Sequence, residues 1–365
     1  MKGSVLKKFL CTCLVTAAAF AATTISASAC TTIYVGGDLV EEGTPFVART
    51  EDYGSDYNKL WFISESGKWK QGDHYVGCPE YGPFEWDFTH DSYRFTYFTN
   101  DIYYDGICPE CGEKADHYSY TEFGTNEKGV SVSATETLYG NEKVTEADPY
   151  RDAEWAEANK SERIGIEETD IPTIILAEAS SAREGVKLLL DIYENYGCVA
   201  ASGVFVCDKD EVWYVENCSG TQYVAIKLND NMIFLEPNMA VIGRVDLDDE
   251  NVIASKDLIA VAKKAGTFVG DEAKNIIDFR ASYARISEKM DQRMIDGLNY
   301  LNVAYKYDSD ALVTDNTKFT ISNLDASDKL VALYTNIKAD RKLDKDDVFG
   351  YYKLSSIGKA SNQEI

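Results

Sequence analysis

Hydrophobic positions along the chain fall into short blocks with two different periods. Thr31-Thr32-Ile33-Tyr34-Val35 is a β-branched and aromatic run that predicts a strand. Val204-Phe205-Val206, Val212-Trp213-Tyr214-Val215 and Tyr223-Val224-Ala225-Ile226 are apolar or alternating runs separated by Asp, Asn, Ser and Gly, so strands dominate 30–137 and 203–235. Between these blocks the period changes. Ser181-x-x-Glu184 reads as a capping box that opens a helix, Val186, Leu189, Leu190 and Tyr193 share one face, and Gly197 follows its end. Ser255 to Ala265 predicts a second helix closed by Gly266, and 272–301 reads as largely helical. The acid-rich segment 141–168 shows little apolar periodicity and predicts a solvated loop that borders the entrance to a site. No internal repeat and no linker stands out, so a single domain is expected.

The N-terminus has a different character. Lys2, Lys7 and Lys8 precede an uncharged stretch from Phe9 to Ala22, and Ala27-Ser28-Ala29 supplies the small-x-small pattern of a signal-peptidase site. The stretch is too short and too rich in Ala and Thr to hold a membrane, and no later run reaches transmembrane length. The expectation is an exported protein, secreted or associated with the cell envelope. Residues 1–29 are then its leader, 30–365 its one catalytic domain, and Cys30 its first residue. Apolar residues make up 45% and charged ones 27% of the 365, a balance that excludes wholesale disorder and collagen-like repeats. With 36 basic against 61 acidic residues, the net charge of -25 repels phosphate backbones and anionic bilayers, so nucleic acid is excluded as a partner.

Cys30 admits three readings: an incidental cysteine, a lipid-anchored one, or a nucleophile. Ala27-Ser28-Ala29-Cys30 is a poor lipoprotein box, lacking Leu where Ala27 stands, and a strand-like run follows at once where a polar tether belongs. A lipid-anchored binding protein without catalysis is nonetheless the alternative of a different class. As a nucleophile, an N-terminal Cys carries its own base, because an α-amino group of pKa about 7.7–8.0 can accept the proton of a thiol of about 8.5. That economy suits a chain whose three histidines, His74, His90 and His117, all lie in the aromatic, loop-like segment 70–120. With Cys11 and Cys13 in the leader, seven cysteines remain. If Cys30 is free, Cys78, Cys108, Cys111, Cys198, Cys207 and Cys218 can pair, in a connectivity the sequence leaves open.

Cys30-Thr31-Thr32-Ile33-Tyr34-Val35-Gly36-Gly37, followed by Gly43-Thr44-Pro45-Phe46-Val47-Ala48-Arg49-Thr50-Glu51-Asp52, resembles the dipeptidase A family of cysteine N-terminal-nucleophile hydrolases. Penicillin V acylases, bile-salt hydrolases and acid-ceramidase-like amidases are more distant relatives of that family. The resemblance implies a mixed α+β fold, the four-layer α-β-β-α sandwich, and a dipeptidase reaction through a thioester. It also implies roles. Arg49 and Asp52 form the Arg-x-x-Asp pair beside the nucleophile, the guanidinium favouring thiolate and the carboxylate orienting the terminal amine.

Tyr120 to Val130 is similar to the family's Asn-Glu-x-Gly-Val segment, and its strand runs on through Ser133-Ala134-Thr135-Glu136-Thr137. Glu136 aligns with an oxyanion-stabilising Asn of the bile-salt hydrolases; an ionised Glu cannot donate, so it is assigned to face the substrate. Glu211 to Glu216 resembles another family strand and reads as core. In Glu236-Pro237-Asn238-Met239-Ala240-Val241-Ile242-Gly243, Asn238 matches an oxyanion-hole Asn. A further arginine of the bile-salt relatives has two candidates, Arg293 and Arg244, between which the sequence does not choose.

Small peptides are the expected substrates, no cofactor or metal is expected, and a homo-oligomer is compatible with the reading. Cys108-x-x-Cys111 lacks a second pair at zinc spacing, and Asp246-x-Asp248-Asp249-Glu250 lacks the EF-hand glycine and reads as a charged turn. An amidase of the penicillin V or bile-salt type is the nearest enzymatic alternative. The family continues past the point corresponding to Ile365, so a C-terminally shortened form is expected.

Overall fold

The structure is a computed structural model that describes residues 30–50, 59–77, 84–100, 121–135, 138–285, 291–301, 322–324, 330–332 and 342–360. Its strands, in chain order, begin with β1 (Thr31–Val35), β2 (Phe46–Thr50), β3 (Lys59–Ser64), and the hairpin β4 (His74–Val76) and β5 (Glu85–Asp87). They continue with β6 (Phe95–Asn100), β7 (Phe123–Asn126), β8 (Ser131–Thr135), β9 (Ser202–Cys207), β10 (Val212–Asn217), β11 (Tyr223–Lys227), β12 (Ile233–Glu236), β13 (Arg244–Asp246) and β14 (Val252–Ala254). The principal helices are α1 (Glu142–Ala147), α2 (Ala153–Asn159), α3 (Ile171–Glu178), α4 (Ala182–Asn195), α5 (Leu258–Ala265), α6 (Phe279–Tyr283), α7 (Gln292–Tyr300) and α8 (Lys345–Tyr352).

Two antiparallel sheets define the architecture. One has eight strands in the order β14-β11-β10-β9-β8-β7-β6-β3, the other three in the order β12-β1-β2. Alternation along the inner strands divides them between two cores. Phe205, Tyr214, Val224 and Ile226 face the small sheet and meet Phe234 of β12, while Val204, Val206, Trp213, Val215 and Ala225 face α3 and α4. Both faces being covered, these strands carry apolar residues at consecutive positions. Strand β3, at the sheet's edge, alternates instead and leaves Trp61 and Ile63 exposed.

The small sheet is covered in turn on its far face. Gly297 of α7 lets that helix close onto Leu235 of β12 and Tyr351 of α8, where an added Cβ would come within 2.9 Å of Leu235 and 2.5 Å of Tyr351. The layers therefore run helix, sheet, sheet, helix, the α-β-β-α sandwich expected.

Helix α4 follows its sequence signals: Val186, Leu189, Leu190 and Tyr193 are buried, and Gly197 follows at φ 80. Its capping box is offset by one residue. Ser181 accepts from the Glu184 N–H, but the Glu184 carboxylate bonds the N–H and hydroxyl of Ser180. Helix α5 ends at Gly266 as expected.

Three expectations need correction. The stretch 272–301 is not one helix: it begins with a 3-10 turn at Glu272–Lys274, and Ile276–Asp278 is then a buried strand, β16, pairing with β13 and with Gly270–Asp271, β15. Among the described residues of that stretch, α-helix follows only at α6 and α7. The two isoleucines at 276 and 277 are the β-branched residues that favour that strand.

The segment 141–168 is not a loop either. Asn141 and Asp152 cap α1 and α2, and Asp148 between them is buried, accepting from Ser219, Thr221 and Arg151. Third, Cys198, Cys207 and Cys218 are unpaired thiols; burial pushes Cys207 up to about 11 and raises the other two further. Cys78, Cys108, Cys111 and His117 lie outside the described residues.

Truncating the buried face of α4 tests the helix–sheet layer. Leu189→Ala should lower the unfolding free energy by about 2–5 kcal/mol, read as a lower urea midpoint at unchanged slope. A midpoint shift worth less than about 0.5 kcal/mol would contradict the packing described.

Candidate functional site

Strand β1 is the middle strand of its sheet, and register fixes what surrounds its first residues. Thr32 lies opposite Arg49 of β2 on one side and opposite Glu236 of β12 on the other. Because side chains alternate, Cys30, Thr32, Arg49 and Glu236 belong to the face that looks across to the eight-stranded sheet, and Thr31 to the face that looks toward the helices. Cys30 immediately precedes β1 and is only 7% exposed.

Arg49 spans the gap between the sheets. One guanidinium nitrogen donates to the Ser133 hydroxyl at 2.9 Å, the Ala134 carbonyl and the Glu122 carbonyl; the other lies 3.8 Å from the Cys30 sulfur. The sulfur therefore faces a cation that is itself held by strand β8. Glu122 is buried and ion-paired to Lys59 at 2.5 Å, which adds a second cation near the site. Desolvation lowers the Lys59 ammonium from its usual range, with the pair to Glu122 opposing that shift.

On the helical side of β1, the structure chooses between the two candidate arginines. Arg293, on α7, is 5% exposed, whereas Arg244 is exposed on β13. Asp291 caps α7 and binds the Arg293 guanidinium through both oxygens, at 2.9 and 2.8 Å. The remaining donors reach the Cys30 carbonyl (2.9 Å), the Thr31 hydroxyl (2.9 Å), Asn238 Oδ1 (2.8 Å) and the Pro237 carbonyl (2.8 Å). Arg293 thus joins the backbone of Cys30 to the side chain of Asn238.

Asn238 occupies a left-handed backbone conformation, φ 54, which asparagine tolerates better than most residues. A guanidinium can only donate, so its bond fixes the oxygen of the Asn238 amide on Arg293 and turns the nitrogen away. That nitrogen is buried and has no hydrogen-bond partner among the described residues. A donor set in this way can stabilise an oxygen that gains negative charge.

Two further buried carboxyl groups frame the turn, and both went unrecognised as site residues in the sequence. Glu236 receives a bond from the Thr32 hydroxyl at 3.4 Å, and the nearby Asn238 backbone N–H favours its ionised form. Burial raises it to about 7, against the opposing pull of Arg293 and Arg49. Glu216 of β10 accepts from the backbone N–H groups of Val241 (2.7 Å) and Ile242 (3.2 Å), and burial raises it to about 8. Apolar flanks made Glu216 legible only as core, and nothing in the local pattern around Glu236 marks it.

Of the expected site residues, the structure thus brings together Cys30, Arg49 and Asn238. Asp52 and Glu136 lie outside the described residues. The Asn126-Glu127-x-Gly129-Val130 block is structural: the Asn126 side chain accepts from Lys128 and Val130 and donates to the Leu176 and Ala179 carbonyls, tying the β7–β8 turn to α3. His74 pairs with Asp87 across β4 and β5, and His90 sits between the Asp91 and Glu178 carbonyls. Among the described residues no cluster of His, Cys, Asp and Glu suited to a metal ion is present. Asp246 and Asp249 accept instead from the backbone N–H groups of Asp248 and Asn251, the charged turn expected. No described helix is long and apolar enough to cross a membrane.

A model of peptidase family C69 matches residues 29–329. The chain belongs to that family. Relatives of this C69 chain include a probable dipeptidase B of Streptococcus pyogenes, 33% identical over 247 residues that cover 67% of this chain and 44% of that protein. A probable dipeptidase of Salmonella dublin is 32% identical over 262 residues, 70% of this chain and 53% of that protein. The C69 chain spans about half the length of the relatives it matches. Solved structures with similarity to it are a penicillin V acylase from Agrobacterium tumefaciens and a variant of a conjugated bile acid hydrolase from Clostridium perfringens. The first has 15% identity and TM-score 0.33 over 57% of this chain and 49% of that one; the second has 12% identity and TM-score 0.32 over 90% and 78%.

Two measurements check the C69 site as described. Arg293→Met should cost about 3–5 kcal/mol of stability by leaving Asp291 and its other partners unpaired, whereas the exposed Arg244→Met should cost less than about 0.5. Equal costs would remove Arg293 from its central place.

The second concerns pH. Glu236 binds its proton more tightly in the fold than in the unfolded chain, so its contribution to stability declines as pH rises from about 4.5 toward about 7. Glu236→Gln cannot ionise, so the difference in melting temperature between pH 5 and pH 8 should shrink in that variant; an unchanged difference would show that Glu236 does not titrate in this range.

Proposed function

We propose that this chain is an exported cysteine dipeptidase in which Cys30, freed as the N-terminal residue by removal of 1–29, is the nucleophile. The Cys30 α-amine takes the thiol proton as sulfur attacks the carbonyl carbon of the peptide bond. The tetrahedral oxyanion is stabilised by the Asn238 side-chain N–H. As the C–N bond breaks, the protonated amine returns its proton to the departing amino group, leaving a thioester on sulfur. Water, deprotonated by the same amine, adds to the thioester and releases the acid and the thiol. Arg49 holds positive charge at the sulfur, Arg293 fixes the Cys30 backbone, and Asp52 orients the amine. Glu136 faces the substrate.

The observation that carries this reading is the buried Asn238 amide nitrogen, without a partner among the described residues and oriented by the arginine that also binds the Cys30 carbonyl. The pairing of β1 on both edges, directly after Cys30, supports a fixed catalytic position over a flexible lipid tether. The choice of dipeptides rests on the relatives named dipeptidase.

Intact mass of the exported protein should give a chain that begins at unmodified Cys30; a diacylglyceryl adduct there would overturn the proposal in favour of a lipid-anchored binding protein. Dipeptides should be hydrolysed, while penicillin V and a conjugated bile salt are left intact. Cys30→Ala should lose activity by at least about 10⁴-fold, and an Ala variant with full activity would mean the nucleophile is misassigned. Full activity in a form that retains residues ahead of Cys30 would equally overturn the proposed base.

A further inference from the structure

The Asn238 turn, 237–243, joins β12 to β13 and belongs to neither helix nor sheet, so its backbone polar groups have no ladder to satisfy them. The surroundings supply partners instead. Arg293 takes the Pro237 carbonyl and Asn238 Oδ1. The carbonyls of Ile242 and Gly243 accept from the backbone N–H groups of Arg280 and Phe279 at the start of α6. The N–H groups of Val241 and Ile242 go to the two carboxylate oxygens of Glu216, at the exit of the turn. Amid these partners the Asn238 side-chain N–H has no partner among the described residues.

We infer that Glu216 is a positioning residue that holds the exit of the Asn238 turn and so aims its side-chain N–H at the oxyanion, acting on turnover through Asn238 alone. This rests on the assignment of Asn238 as oxyanion donor. The choice of a carboxylate follows from donor counting. Glu216 meets two N–H groups with its two oxygens, whereas a glutamine there would present one oxygen and one NH₂, setting donor against donor at one of the two sites. Its carboxyl group is not exposed, so it is not placed to act on substrate directly. Its location between the sheets, where burial disfavours a charged carboxylate, makes a purely stabilising role a poor account of it.

The test is a double-mutant cycle on the exported, processed enzyme with a dipeptide substrate. Glu216→Gln should lower kcat by about 10- to 100-fold, the scale of a misplacement near 1 Å, with KM changed less than about threefold. In an Asn238→Ala background the same substitution should change kcat by less than about twofold, because the group it positions is already gone. Alkylation of Cys30 by iodoacetamide, which forms no oxyanion and is followed by mass on the Cys30 peptide, should stay within about twofold of the parent rate.

An unchanged kcat in Glu216→Gln, the same loss in both backgrounds, or a parallel loss of alkylation would each overturn the inference. If Asn238→Ala itself keeps the parental kcat, the oxyanion assignment falls and the inference falls with it, an outcome distinct from additivity on an Asn238→Ala variant that is impaired. Should Glu216→Gln show no cooperative thermal transition, Glu216→Asp, which keeps the charge but draws the carboxylate back by one methylene, takes its place in the same cycle with the same expected outcomes.

Discussion

The Arg293 guanidinium sets the geometry at the head of β1. Held by Asp291 at the start of α7, it reaches through the far face of the small sheet to the Cys30 carbonyl, the Thr31 hydroxyl and Asn238 Oδ1. Its rigid fork of donors, always charged, suits it to satisfy several oxygens at fixed angles, which a lysine ammonium on a flexible stem does not do. Cys30 lies just before β1 and Asn238 just after β12, and among the described residues no hydrogen bond joins the two. Beyond the pairing of those strands, Arg293 ties the Cys30 backbone to the Asn238 side chain, while Arg49 reaches the sulfur from the side of the eight-stranded sheet. Two arginines thus meet at one cysteine from opposite faces of the same strand.

The buried carboxyl groups belong with that arrangement. Glu236 lies near both guanidinium groups, which pull its proton off while burial holds it on. The N–H groups of Val241 and Ile242, with the Tyr214 hydroxyl, favour the ionised form of Glu216, and its position in the eight-stranded sheet couples the turn to the larger core. An interior with charged groups of both signs close together is costly to desolvate. It is found here where the two sheets face each other across the candidate site, a place where fixed polar groups have a chemical use.

Much of the fold was legible because its signals are local. The strand at Thr31–Val35, the three inner strands and helix α4 follow from β-branched runs, from alternation and from a cap with its glycine stop. Ile276–Asp278 was missed because a short strand inside a charged, helix-prone stretch is decided by its pairing with β13. The two helices of 141–159 were missed because each buries only a single hydrophobic side chain, Val144 or Ala156, so neither leaves an apolar stripe.

Among the candidate site residues, Cys30 was singled out by the cleavage-like pattern before it and by thiol–amine chemistry, and Arg49 and Asn238 by resemblance to ordered family blocks. Arg293 could not be separated from Arg244 in sequence, since what distinguishes them is burial. Glu216 and Glu236 sit in apolar strands, and nothing local tells a carboxylate that accepts backbone N–H groups from one that merely ends a strand.

The bond between Arg293 and the Cys30 carbonyl closes a loop of 263 residues. Closure entropy grows only slowly with such a length, but contacts this remote in sequence are reached late in folding and slow its rate. A chain that is made from its N-terminus therefore carries β1 without the turn at 237–243 or helix α7 until those segments have been added. The cysteine is made 263 residues ahead of the arginine that binds its carbonyl.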